Sequence, residues 1–268
     1  AAGMKTTLLV AAAGLLVGGC ASTTPQAPDT AWTLVWSDEF DKPGAPDPAK
    51  WTYEEGYIRN DEAQYYTRDR RENARVQHGN LVLECRKEPV KNAAYIPGST
   101  DEHTRRPGGD YTSASLTTFG KAAWTFGRLE IRAKVPAGLG VWPAIWMLGD
   151  NIPKVSWPHC GEIDIMEFVG HTPGLVHGTA HFAKPKNAPA KPAPKPGDVT
   201  WDDTHLSSGG KLPVSPPPSS DFHTYAVEWD TQHIDFFYDG KPYHRFDVDD
   251  AGLGADNPFR RPQYLILN

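Results

Sequence analysis

Three carboxylates stand within six residues in the run Glu162-Ile163-Asp164-Ile165-Met166-Glu167, with only aliphatic side chains and a methionine between them. In an extended strand successive side chains take opposite faces. Glu162 and Asp164 then share one face, and Ile163 and Ile165 share the other. Glu167 falls on the wrong face, because its offset from Glu162 is odd. One extra residue, a β-bulge near Ile165–Met166, would swing it back into the row, and bulges next to active sites re-aim side chains in this way. Acids crowded so closely repel one another, so the row needs a reason. Two carboxyls about 5–5.5 Å apart are what hydrolysis of a glycosidic bond with retention requires. One attacks the anomeric carbon; the other protonates the leaving oxygen and later activates water. Glu162 and Glu167 are long enough to converge on one sugar. Asp164, shorter and between them, can hydrogen-bond the nucleophile, and the three should titrate as a coupled set.

A strand that alternates acids and aliphatics can also simply show its acids to water. The neighbours shift the weight. Trp142-Pro143-Ala144-Ile145-Trp146 lies shortly upstream, and its two indoles have the same parity. Two Trp on one strand face are core by default, but beside a carboxylate row they also make a wall on which a pyranose ring stacks. His177 and His181 alternate along Val176–Phe182 as in a strand and have no further ligands at metal-site spacing.

The elements that must position these residues read as strand after strand. Arg128 to Val135 alternates strictly, with Leu129, Ile131, Ala133 and Val135 on one side, as a half-buried strand does. Trp32–Trp36, Asn80–Arg86, His223–Trp229 and His233–Tyr238 are further strand candidates, and Asp239-Gly240 marks a hairpin turn into Lys241–Phe246. Many short strands with turn signals indicate a sandwich or barrel. Only Glu62–Arg70 has a helical look, weakened by its Tyr-Tyr-Thr. Residues 184–220, rich in Pro, Lys, Ser and Gly, have little to bury and read as a long surface loop, with Trp201 placed to reach over a groove.

The 268 residues carry a net charge of −6, nine Trp, 25 Gly and 25 Pro. That length suits one large all-β domain, and the mild acidity speaks against a nucleic-acid partner. Met4-Lys5, an apolar run from Leu8 to Val17, then Gly18-Gly19-Cys20 describe an export signal too short to span a membrane comfortably. Cys20 after two glycines resembles a bacterial lipobox, which would make it a lipid anchor in the outer membrane. The organisation expected is therefore a signal segment over 1–20, a polar tether over 21–30 and a catalytic domain over 31–268, in an exported, cell-envelope or secreted protein that is monomeric. Cys85 and Cys160 can pair or remain two free thiols; the sequence does not choose.

These motifs together resemble glycoside hydrolase family sixteen, most closely its bacterial laminarinases. The resemblance rests on Glu162-x-Asp164-x-x-Glu167, Trp142-Pro143-Ala144-x-Trp146-Met147-Leu148 and Val176-His177-Gly178-Thr179-Ala180-His181. Asn60-Asp61-Glu62-Ala63-Gln64-Tyr65-Tyr66-Thr67, Gly127–Pro136 and Tyr264–Asn268 agree in order. It covers roughly residues 31–268. It implies a β-jelly-roll sandwich of two antiparallel sheets with a concave substrate cleft. It implies retaining endo-hydrolysis of β-1,3-glucans, with Glu162 as nucleophile, Glu167 as acid/base and Asp164 assisting. Substrate contacts map to Asn60, Trp142, Trp146 and His181. The two-residue gap before Glu167 matches the bulged branch of the family; another branch has a one-residue gap and a regular strand. No cofactor is required for catalysis, although the resemblance implies a structural calcium near Glu39 and Gly79 that also uses a following strand. Since Tyr264–Asn268 would want such a neighbour, the domain reads as truncated at its C-terminal end. Mixed-linkage glucan, a marine galactan, and a non-catalytic glucan-binding role are the alternatives.

Overall fold

The computed structural model describes residues 32–185 and 204–268. Its first strands are β1 (Thr52–Glu54), β2 (Tyr65–Tyr66), β3 (Ala74–Gln77), β4 (Asn80–Leu83), β5 (Arg86–Lys91), β6 (Gly108–Ser113), β7 (Ser115–Thr117) and β8 (Gly127–Ala133). There follow β9 (Ala144–Gly149), β10 (Glu162–Glu167), β11 (Leu175–Ala183), β12 (His205–Pro213), β13 (His223–Trp229), β14 (His233–Tyr238), β15 (Lys241–Asp247) and β16 (Gln263–Leu267).

Two sheets make the sandwich, as the all-β reading requires. One runs β1-β7-β16-β9-β10-β11-β12 and the other β15-β14-β13-β8, with every pairing antiparallel. Alternation fills the space between them. Ile163 and Ile165 of β10, Val176, Ala180 and Phe182 of β11, and Tyr225, Val227, Ile234, Phe236 and Phe246 from the smaller sheet are all buried. Phe182 meets Phe246 across the core with ring centroids 5.2 Å apart. The sheets approach closely at Gly178, where a Cβ would lie 2.7 Å from Phe236 Cδ1 and 2.4 Å from Tyr243 Oη. Asp239 and Gly240 turn β14 into β15 with φ of 47° and 74°, the two left-handed residues that a tight two-residue hairpin needs.

Three sequence expectations are corrected here. The 184–220 segment is not all loop: β12 lies inside it and pairs with β11 along nine positions, from Leu175 opposite Pro213 to Ala183 opposite His205. Its Ser207-Ser208-Gly209-Gly210 core has little to bury, and an edge strand is held mainly by main-chain hydrogen bonds that any residue supplies. Gly210 also admits the neighbouring sheet, since a Cβ there would meet that of His244 at 2.5 Å. Trp201 lies outside the described residues. Glu62–Arg70 holds no helix; its Tyr65 and Tyr66 form β2, buried and parallel to β6. Trp32–Trp36 falls in a unit separate from Ser37–Asn268. Within that unit Trp32–Trp36 is irregular rather than a strand, with Leu34 and Val35 exposed, since β-propensity is expressed only in a pairing context.

Candidate active site

The acid row lies on β10, between β9 and β11. On β9, Asp164 faces Trp146 while Met166 faces Ile145; on β11, Asp164 faces Thr179 and Glu167 faces His177. Three steps along β10 thus span two along β11, which places one extra residue at Ile165–Met166, where side-chain parity asked for it. Ile163, Ile165 and Met166 are buried, while Glu162 and Glu167 are partly open and Asp164 is 3% exposed. The row is flanked by Leu148, Trp146 and Ala144 on β9 and by His181, Thr179 and His177 on β11.

Each acid has a distinct setting. Trp157 Nε1 donates to Glu162 Oε2 at 2.8 Å, and Trp142 Nε1 donates to Glu167 Oε1 at 3.0 Å. His181 Nε2 lies 3.0 Å from Asp164 Oδ2, but off the line of a hydrogen bond, so that buried oxygen is unsatisfied. One polar atom each from Glu162, Asp164 and His181 fall within 4.8 Å of one another. Burial, then the neighbouring acid charge, raises both Glu162 and Asp164 well above their ordinary values of 4.5 and 3.8. Two carboxyls this close titrate as a coupled pair, each opposing ionisation of the other. The indole N–H favours the ionised form of Glu162, while a side-chain hydrogen bond between Glu162 and Asp164 couples the two groups. The arrangement therefore presents two coupled carboxyls on the same face and a third carboxyl beyond the bulge.

Raised native pKa values fix the sign of a pH effect. Between the unfolded values near 4 and the raised native ones, the folded chain holds protons that the unfolded chain has released. Stability is therefore fullest at and below the unfolded values, falls as pH rises through this window, and levels above it. Asp164→Asn removes one of the two groups, so its Tm should decline less from about pH 4 to pH 8 than that of the parent. Parallel curves for the two proteins would contradict the raised pKa of Asp164.

The bulge carries a second prediction. Deleting Ile165 leaves Glu-Ile-Asp-Met-Glu, in which all three acids alternate onto one face with Met opposite Ile145 and the last Glu opposite Ala144. The deletion should cost about 2–5 kcal/mol, as loss of a buried isoleucine does, yet retain measurable hydrolysis. A folded deletion variant as inactive as one lacking Glu167 would show that the bulge does more than restore parity.

The structure brings Glu162, Asp164, Glu167, Trp142 and His181 together. Trp142 is 61% exposed and precedes β9 rather than lying on it, so the two indoles do not share a strand face. The chain enters β9 only after Pro143. Trp146 is 7% exposed, packed with Leu148, Cys160, Tyr264 and Ile266. The Arg59 guanidinium sits over its ring at 4.9 Å, and its Nε1 donates to Asn268 Oδ1 at 2.6 Å. It is the floor of the cleft more than an open platform. Asn60, next to Arg59, is exposed with φ 56°. Two contributors escaped the motifs, Trp157 and His205, and Asn268 was read only as the end of a motif and not as a partner of the site. Trp157 sits in an irregular segment where spacing predicts nothing, and the other two reach the site only through strand pairing. Cys85 and Cys160 are free thiols, the first exposed and the second buried. Glu39 is exposed and Gly79 lies in the β3–β4 turn. Among the described residues no cluster of acids or histidines includes Glu39. Calcium takes six to eight oxygens, and Glu39 with the Gly79 turn offers only part of such a set.

An antiparallel β-sandwich with three acids on one strand of a concave sheet is the frame of a glycoside hydrolase. The profile of the glycosyl hydrolases family 16 matches residues 61–268, and the chain belongs to that family. A β-glucanase of Rhodothermus marinus is 44% identical over 263 residues, covering 93% of this chain and 80% of that protein. The X-ray structure of the laminarinase from Rhodothermus marinus has a TM-score of 0.69 at 42% identity, covering 88% of this chain and 85% of that one. A structure from work on endo-acting O-glycanases of human gut microbiota that initiate mucin breakdown has a TM-score of 0.78 at 39% identity, covering 91% and 82%.

Proposed function

We propose that this chain is a retaining endo-β-1,3-glucanase of the laminarinase type. The observation that carries the reading is the bulged β10, which sets Glu162, Asp164 and Glu167 on one face of the cleft. Glu162, with one oxygen held by Trp157, attacks the anomeric carbon. Asp164, coupled to Glu162, assists from the same face. Glu167, held by Trp142, protonates the leaving oxygen and then takes a proton from the water that releases the sugar. Nucleophile and proton both come from carboxyls, so the reaction uses no cofactor. Asn60 and His181 offer polar contacts to sugars on either side of the cleavage point, Trp142 an exposed stacking face, and Trp146 the floor.

The glucan names of the relatives support a neutral substrate, and so do the arginines. A sulfated galactan would want free guanidinium groups. Instead Arg59 is paired with Glu54 and Arg105 with Asp61, while Arg106 lies over Tyr57 at 3.7 Å. The reading also takes the chain as an exported monomer anchored by lipid at Cys20, which lies outside the described residues; radiolabelled palmitate incorporation and light scattering check those two points.

The deciding experiment is hydrolysis of laminarin, lichenan, agarose, carrageenan and mucin in parallel, with sizing and anomer analysis of the products. Laminarin should be cut internally with the β-anomer released first. A preference for mucin or a galactan would overturn the substrate, and an α first product would overturn the nucleophilic role of Glu162.

A further inference from the structure

His205 belongs to none of the sequence motifs, yet it touches both groups that support the acid pair. It opens β12, buried at 5% exposure, opposite Ala183 of β11. Its Nε2 lies 2.8 Å from His181 Nδ1, with the two rings 17° from parallel and their centroids 5.0 Å apart. The same imidazole packs on Trp157, with centroids 4.7 Å apart. Trp157 is the donor to Glu162, and His181 Nε2 is the atom beside Asp164. Trp157 and His181 are themselves 6.5 Å apart, so His205 packs closer to each of them than they do to one another.

A short contact between two imidazole nitrogens needs a hydrogen on one and a lone pair on the other. When His205 donates, His181 Nδ1 is bare and its hydrogen sits on Nε2, facing the acids; the bond made at one ring nitrogen decides the state of the other. We propose that His205 is a positioning residue for the catalytic acids: it fixes the His181 tautomer at Asp164 and braces the Trp157 indole at Glu162. The inference rests on the reading of Glu162 as nucleophile. It assigns a role to β12, whose sequence carries no catalytic signature.

The test uses the full chain. His205→Phe keeps a ring against Trp157 and loses both nitrogens, whereas His205→Gln keeps a side-chain N–H. Long-range 15N–1H spectra report the His181 tautomer with no substrate present. The parent protein should show the Nε2–H form alone, and His205→Phe should show a mixture in which the Nδ1–H form is also populated. On the glucan that the parent hydrolyses, kcat should fall about tenfold in His205→Phe, the scale of one hydrogen bond, and His205→Gln should recover most of it. KM is read separately, because it reports the sugar contact of His181. In a His181→Ala background, His205→Phe should cost nothing further, because the two act through one path. An unchanged tautomer, an unchanged kcat, or a full additional loss on top of His181→Ala would each overturn the proposal. Should His205→Phe not fold, His205→Met, which also lacks a donor, takes its place in the same spectra and cycle. Absence of hydrolysis by the parent protein would instead sink the glucanase reading, and the tautomer spectra would still judge this one.

Discussion

Glu162→Gln should lower turnover of laminarin roughly 10⁴-fold or more, the scale on which removal of a nucleophile acts. That loss corresponds to at least about 5 kcal/mol of transition-state stabilisation. The fold should survive. Glutamine has the same shape, and its carbonyl oxygen can still accept from Trp157 Nε1, as Glu162 Oε2 does at 2.8 Å. The substitution also removes a carboxyl whose burial and proximity to Asp164 raise its pKa. The variant should therefore melt no lower than its parent, in keeping with the strain that active sites hold. Glu162→Ala gives a sharper result, because it leaves space where azide can enter. With an activated β-glucosyl donor, azide would attack from the side the carboxylate had used and give the α-glucosyl azide. A β-azide from that variant, or undiminished turnover of laminarin by Glu162→Gln, would remove Glu162 from the nucleophile role.

Glu167→Gln tests the other half of the division of labour. On laminarin the loss should be about 10²- to 10⁴-fold, the range for one general acid/base. The loss should depend on the leaving group. An aryl glucoside with an acidic phenol needs no proton to depart, so the first step should proceed and the second, which needs a base for water, should stall. The signature is a burst of one phenol per protein followed by a slow phase. Azide should relieve the slow phase and give the β-azide, because it attacks the glycosyl-enzyme from the opposite side. Equal losses on laminarin and on the activated glucoside, with no burst, would mean that Glu167 is not the proton donor. Trp142 enters here as well: its indole holds Glu167 Oε1 at 3.0 Å while its ring is largely exposed. The same side chain can therefore sense the sugar and orient the acid.

Much of this was legible in the chain because strand periodicity is local. The two-residue repeat separates Glu162 and Asp164 from Ile163 and Ile165, and the odd offset of Glu167 demands a bulge before any coordinate is known. The register of β10 against β9 and β11 contains that bulge at Ile165–Met166. The Asp239-Gly240 turn was legible for the same reason, since left-handed φ at two consecutive positions favours those residue types. Where the reading failed, pairing rather than pattern was at work. β12 looked like loop because a Ser- and Gly-rich edge strand is held by backbone groups common to all residues. Trp32–Trp36 looked like a strand because propensity does not say whether a partner is present.

The sequence alone thus determined that three acids stand along one strand and that one residue too many separates them, because both are properties of neighbours along that strand. Only the tertiary structure decided what surrounds them. It brought Trp157 to Glu162, set His205 against His181 across 24 residues, and covered Trp146 with Arg59. It also buried Asp164 deeply enough to raise its pKa. Those contacts depend on which strands lie side by side and how far each is buried, and these follow from long-range pairing and desolvation rather than from any local spacing.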